Sequence, residues 1–309
     1  MSSYPEPKKI EVFDSPKPPS TANMFWKEIK NDKFAMVGFV TLTAIILFVV
    51  IASAVITTEV AGAVNLMDRR IAPSWAAEGT REGFPLGTDD AGRNMFYMTI
   101  VGGRNSLLIG FAVSLTATII GLTIGIISGF FGGKTDNVIM RMVDTWSMLP
   151  GLMVIIALVS LATTRTIPMI IGLLIMFAWM GNARLFRSVT LQQRNLDYVS
   201  ASKTLGTRNI VIIFREILPN LVSIISAQVV ISMSVSIGIE TGLSILGFGL
   251  PIGTPSLGNI INNALSPANL QYRWWTWLPA IIMVFVISLS INFVGQAVSR
   301  AADPKQRTI

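Results

Sequence analysis

The sequence predicts an all-α integral membrane protein with six transmembrane helices, on three observations. Of 309 residues, 51% are hydrophobic and 13% charged, about half the charged share of an average soluble domain, which is roughly 25%. Six runs are uncharged or nearly so and long enough to cross, at 34–56, 105–131, 143–164, 166–182, 217–239 and 274–299. Lysine and arginine concentrate in alternate connecting segments, the asymmetry that orients a multi-pass protein.

Residues 1–20, rich in Pro, Lys and Ser, read as a disordered tail. Met24, Phe25, Trp26 and Ile29 beside Lys27, Lys30 and Lys33 predict a short interfacial helix that closes an N-terminal region at 1–33. The first span, 34–56, ends near Ala52-Ser53-Ala54, which imitates a signal-peptide cleavage site. The region before it mixes acids with bases, unlike a signal peptide, so the span is expected to be retained. A helix of that length rises about 35 Å, slightly more than the hydrocarbon core.

The segment 57–104 carries six acidic residues with Gly and Pro, too polar for lipid, and is expected outside, folded against the outer mouth. Residues 105–304 then form one transmembrane domain holding helices 2–6 and a loop at 195–217, with a tail at 305–309. Within the second span Gly121, Gly125 and Gly129 recur every four residues, a smooth stripe on which another helix can pack closely. The fourth run is short unless its ends extend past Thr166 and Asn182. The stretch 241–271 is uncharged yet punctuated by Gly and Pro. Its backbone amides would cost several kcal/mol each if left unsatisfied in lipid, so it is expected inside protein or lining a cavity, as a re-entrant or external cap.

With the N-terminus inside, seventeen of the 24 lysines and arginines fall on the inner side. Both termini and the stretch 197–219 then face the cytoplasm. Cysteine and histidine are absent, which removes thiol catalysis, disulfides, Ser-His-Asp triads and ordinary zinc sites together. The net charge of +7 sits beside the spans, so it addresses a membrane and not nucleic acid. Gly129 to Thr135 (GFFGGKT) imitates a phosphate-binding loop but has three residues where four are required between the glycines, and it follows a lipid-length helix. Any ATP chemistry must therefore belong to a partner.

Between two spans lies the amphipathic stretch 197–219, DYVSASKTLGTRNIVIIFREILP. Val199 and Leu205 stand among Ser, Lys and Thr; Gly206 occupies a helix C-terminal cap position, and Thr207 is placed to cap a second short helix before Pro219. Two short helices at an angle would make a rigid knob on the membrane surface. Two acids are candidates for the pathway or its gate. Asp144 follows Arg141 by three residues, so the two can pair on one helix face. Glu240 has no basic residue near it in sequence, and a charge at mid-bilayer costs about 2.5–3.5 kcal/mol. It needs a distant partner, water or a proton, and is either a pathway residue or a buried hydrogen-bonding post for the glycine-rich segment.

The stretch 197–219 resembles the EAA loop of ABC-importer permeases, with Ser200-Ala201-Ser202 as the triplet, Gly206 as its glycine and Leu218-Pro219 as its closing pair. Phe84-Pro-Leu-Gly-Thr-Asp-Asp-Ala-Gly-Arg93-Asn followed by Gly103-Arg104-Asn-Ser-Leu107 is similar to the GTDxxGRD…GxRxSL signature of the C-type permease in oligopeptide and dipeptide ABC importers of the peptide/nickel family. Phe130-Phe-Gly-Gly133, Met140-Arg-Met-Val-Asp144, Glu240-Thr-Gly-Leu-Ser-Ile-Leu-Gly-Phe-Gly249 and Thr254-Pro-Ser-Leu-Gly258-Asn continue the likeness. Departures are Ser200 for the usual Glu, Ser202 for Ala, Asn94 for Asp, Ile245 for Phe and Leu257 for Trp.

The resemblance implies a type I importer permease in a bacterial cell membrane, forming half a pore with a second homologous subunit. It further implies two cytoplasmic ATPases carrying ATP and Mg, an extracytoplasmic peptide-binding protein, and neither cofactor nor metal on this chain. The ATPase-coupling residues would be Asp197, Tyr198, Ser200, Ala201, Ser202, Lys203, Leu205, Gly206, Leu218 and Pro219. A nickel-chelate or other solute importer is the alternative within the class. Outside it stands a proton-coupled secondary transporter using Glu240, whose expected mark, an inverted repeat, is not found in the sequence.

Overall fold

The computed structural model describes residues 26, 28–76, 81–251 and 253–302. The tails at 1–20 and 305–309, with Met24, Phe25 and Lys27, lie outside the described residues. Among those described, Trp26 meets Phe39 edge-on with Lys30 over its ring, and Ile29 is buried against Ala35 and Ala297.

The first span is α1 (Lys33–Val55), opened by Asp32, whose carboxylate accepts from the amides of Phe34 at 2.9 Å and Ala35 at 3.3 Å. The same carboxylate pairs with Arg300 of the last helix, so both ends of the described chain lie at one end of the bundle. A short α2 (Thr58–Gly62) precedes α3 (Met95–Phe131), which begins ten residues before the apolar run at 105–131. Asn94 caps it through the Phe96 amide at 3.0 Å, and buried Met95, Met98, Ile100 and Val101 extend its packed surface.

The expected span at 143–164 is a broken one. It comprises α4 (Gly133–Ser147) and α5 (Gly151–Leu161), bent by 66° across a break containing Pro150. Proline disfavours helical backbone in the residue before it, so the bend falls there. The fourth span, α6 (Ile167–Arg194), reaches 28 residues because Thr166 caps its start and the helix runs on past Asn182. After α7 (Asp197–Thr204), α8 (Asn209–Ile212) passes through a π turn at Ile213–Ile217 into α9 (Leu218–Ile245). Two short helices, α10 (Leu257–Ile261) and α11 (Pro267–Tyr272), lead to α12 (Leu278–Ala302). Among the described residues, five helices are long and apolar enough to cross a membrane, and the bent pair, counted as one span, makes six.

Gly121, Gly125 and Gly129 form the expected stripe, and α6 lies against it. A Cβ on Gly125 would stand 2.7 Å from the Ala183 carbonyl oxygen and 2.8 Å from the Arg187 amide nitrogen, so the two backbones touch there. Polar side chains lock the same seam: Asn182 donates to Thr118 at 3.4 Å and accepts from Gln228 of α9 at 2.7 Å.

At the end opposite the termini, residues 57–76 and 81–94 interlock with 246–251 and 253–277 over the bundle. Trp275 donates to the Thr88 carbonyl at 3.1 Å, and Asp90 accepts from Arg70 at 2.5 Å, Arg273 at 3.1 Å and Asn269 at 3.1 Å. Part of the glycine-rich stretch is buried in protein, where lipid does not meet its backbone: Leu257 and Ile260 pack among Met95, Met98, Ile237 and Ala280.

Partial burial pushes the Asp90 carboxyl up, but Arg70, Asn269 and Arg273 outweigh it and hold it below the ordinary value. A depressed carboxylate contributes stability above its unfolded pKa of about 3.9 and loses it as pH falls through the lower folded value. Limited proteolysis within 57–94 should therefore stay slow down to about pH 4 and quicken below it. D90N should already be cleaved faster at neutral pH and show less of that acid dependence.

Candidate functional site

The short helix α7 is clamped between two long rods. Asp197 in its first turn and Lys203 in its last complement the helix dipole. Gly206, at φ +78°, ends it in a Schellman motif: the Gly206 amide donates to the Lys203 carbonyl and the Thr207 amide to that of Ser202, both at 3.0 Å. The expected glycine cap is thus present. Thr207 does not cap the next helix; Arg208 stands at that position without a side-chain bond, because Thr207 is already used to finish the Schellman turn.

Nor is there a second short helix. Asn209–Ile245 is one 37-residue rod, so the loop continues directly into a span. Pro219 lies inside that rod instead of closing the segment. Its ring and missing N–H would clash with a regular turn, and the π turn just before it, where the Leu218 amide reaches back to Ile213, supplies the slack.

Val199 is fully buried with Ile126, Phe130, Ile212, Ile217 and Leu221, which pins α7 to the ends of α3 and the rod. Ser202 donates to Glu216 at 2.6 Å. Tyr198 donates to Gln193 at 2.9 Å and accepts from Asn220 at 3.1 Å, bridging the end of α6 to the rod. Lys203 lies 4.8 Å from the Phe130 ring, and Arg194 donates to the Phe130 carbonyl at 3.0 Å. Ser202 and Leu218 therefore turn partly inward and hold the loop. Asp197, Tyr198, Ser200, Ala201, Lys203, Leu205, Gly206 and Pro219 face outward, with Leu205 at 85% exposure. The structure adds Ile210 and Phe214, exposed and four residues apart on one face of the rod. Read as part of a separate short helix, they gave no outward signal in the sequence.

Asp144 pairs with Arg184 of α6 at 3.0 Å and not with Arg141. Helical spacing permitted the local pair, but α6 presents a guanidinium that also donates to Ser147 at 2.8 Å, so Asp144 turns across. Glu240 is fully buried about one and a half turns from the end of α9. It accepts from Ser106 at 3.0 Å and Ser244 at 2.8 Å. Ser106 in turn accepts from the Leu257 amide at 3.2 Å. The carboxylate thus ties α3, α9 and the glycine-rich segment together, the arrangement a hydrogen-bonding post requires.

An open cavity of about 240 Å³ lies between α3, α5, α6 and α9. Val113, Ile155, Leu174, Phe177 and Ile239 contribute to its walls, which are otherwise apolar apart from Ser236. Glu240 does not line it.

A family described as "Binding-protein-dependent transport system inner membrane component" matches residues 121–307. The chain belongs to this family. An oligopeptide transport system permease protein of Lactococcus lactis subsp. lactis, OppC, is 42% identical over 91% of this chain and 94% of its own. The Bacillus subtilis OppC is 32% identical over 98% and 97%, and the Bacillus subtilis dipeptide permease DppC 31% over 97% and 91%. A chain of the MetNI methionine ABC transporter, solved in inward-facing conformations, superposes with a TM-score of 0.57 at 17% identity, covering 68% of this chain and 98% of that one. The fold is thus that of an ABC importer permease.

Proposed function

We propose that this chain is the permease subunit through which oligopeptides or dipeptides enter a bacterial cell, forming half of a pore with a second homologous permease. Two cytoplasmic ATPases drive it by binding ATP and Mg, and an extracytoplasmic binding protein delivers the cargo. The curated relatives named above supply the peptide class. The excess of lysine and arginine at the α7 end supports cytoplasmic placement of that end and of both termini.

The observation that carries the mechanism is how α7 is built. Buried Val199, the Ser202 to Glu216 bond and the Tyr198 bridge fix it to its rods, while Leu205 and Ala201 remain outward. A push on that outward face cannot be absorbed by the loop, since Asn209–Ile245 is continuous helix; it tilts the span. Nucleotide-driven closure of the ATPase pair would thereby switch the cavity between the two sides. Deleting residues 200–206 should abolish co-purification of the ATPases from detergent-solubilised membranes while the chain still inserts. Undiminished association would remove the docking role.

A further inference from the structure

The end of α3 and the start of α4 meet in a buried polar knot that α7 touches. Asp136, in the first turn of α4 and 8% exposed, accepts from Ser128 of α3 and from Arg187 of α6, whose Nε and Nη2 each stand 2.5 Å from a different carboxylate oxygen. Gly132 turns the corner between the two helices at φ +65° with Arg194 against it, and Arg194 also donates to the carbonyls of Gly129 at 3.4 Å and Phe130 at 3.0 Å. The Phe130 side chain completes the link to α7, packed with Val199 and with the Lys203 ammonium over its ring.

Apolar packing does little to hold α4. Ten of its fifteen residues are exposed, and Asp136 and Val143 are the buried ones. Its side-chain bonds to α6 are polar: besides Asp136, Asp144 and Ser147 accept from Arg184, and the Trp146 indole donates to the Met176 carbonyl at 3.2 Å. Of these α4 groups Asp136 alone is buried, and a bidentate guanidinium–carboxylate pair fixes orientation as well as distance. Beyond the break at Pro150, Gly151, Leu152 and Ile155 of α5 form one wall of the cavity, and Ser236 and Ile239 of α9 form another.

We propose that Asp136 and Arg187 are positioning residues that pass the motion of α7 to the α4–α5 wall, so that one stroke shifts two walls of the cavity, α9 through the continuous rod and α5 through this clasp. This rests on the permease reading above. The carboxylate joins α3, α4 and α6 at one point, so a displacement of the α3 end by α7 carries the start of α4 with it. A side chain that bonds less well there frees α4 to lag, while the contacts that hold α7 to its own rods, through Val199, Ser202 and Tyr198, stay as they are. Hydrolysis by the docked ATPases then continues with less transport per turnover.

Peptide uptake and ATP hydrolysis, measured together in proteoliposomes holding the whole transporter and its loaded binding protein, give that ratio. Asp136→Asn should lower the peptide taken up per ATP hydrolysed about five- to tenfold with the ATPases still bound. Arg187→Lys keeps the charge without the two-pronged bond. It should lower the ratio in the same direction with a smaller loss of thermal midpoint, and it decides the matter where Asp136→Asn is not recovered folded. Val143→Ala, which loosens α4 through its other buried side chain, should lower the midpoint and leave the ratio unchanged. A ratio unaltered in Asp136→Asn and Arg187→Lys, with uptake and hydrolysis falling together, or a ratio lowered as much by Val143→Ala, overturns the clasp alone. An unaltered transporter that takes up no peptide would overturn the function on which it rests.

Discussion

Leu205→Asp leaves the chain folded and membrane-inserted but cuts ATP-driven peptide uptake by about 30-fold or more, the scale expected when a central interface anchor worth about 2 kcal/mol is lost. Leu205 is 85% exposed and supports nothing within this chain, so the change has no route to destabilise it. On the partner side it puts a charge where an apolar contact is required. Uptake into vesicles containing the whole transporter, measured beside the thermal midpoint of the purified complex, separates the two effects. A fall in uptake with an unchanged midpoint is the expected result. Uptake that stays within about twofold of the unaltered complex, less than 1 kcal/mol, would mean that Leu205 is not at the ATPase contact.

Gly125→Leu produces the largest structural loss. The Ala183 carbonyl and the Arg187 amide already stand within van der Waals contact of a single added carbon, and both belong to a helix backbone that cannot rotate away. Overpacking costs about 1–3 kcal/mol where side chains can adjust and more where they cannot. Separating α3 from α6 also pulls Asn182 away from Thr118 and Gln228. The variant should be recovered as aggregated or degraded material by size-exclusion chromatography in detergent. Gly125→Ala should survive with a lowered thermal midpoint. A monodisperse Gly125→Leu with the original midpoint would show that the stripe is not a packing seam.

What could be read from the sequence was what is local. Gly206 declared its left-handed turn and the four-residue glycine spacing declared a seam. The partners of the two acids were not legible, for one physical reason. Asp144 finds Arg184 forty positions away in place of Arg141 three away, and Glu240 finds Ser106 across 134 positions, because tertiary packing decides among partners that spacing alone permits. Pro219 reads as a helix end because proline usually breaks helices. A π turn, whose only trace is the helix continuing through it, kept the rod intact.

If α7 transmits work done by separate ATPases, the most direct measurement is peptide accumulation in proteoliposomes carrying a preset ion and pH gradient. Vesicles with both permeases, the ATPases, ATP and the loaded binding protein should concentrate peptide, and omitting the ATPases should abolish accumulation whatever gradient is applied. Concentration of peptide by vesicles holding this chain without any ATPase would contradict the account.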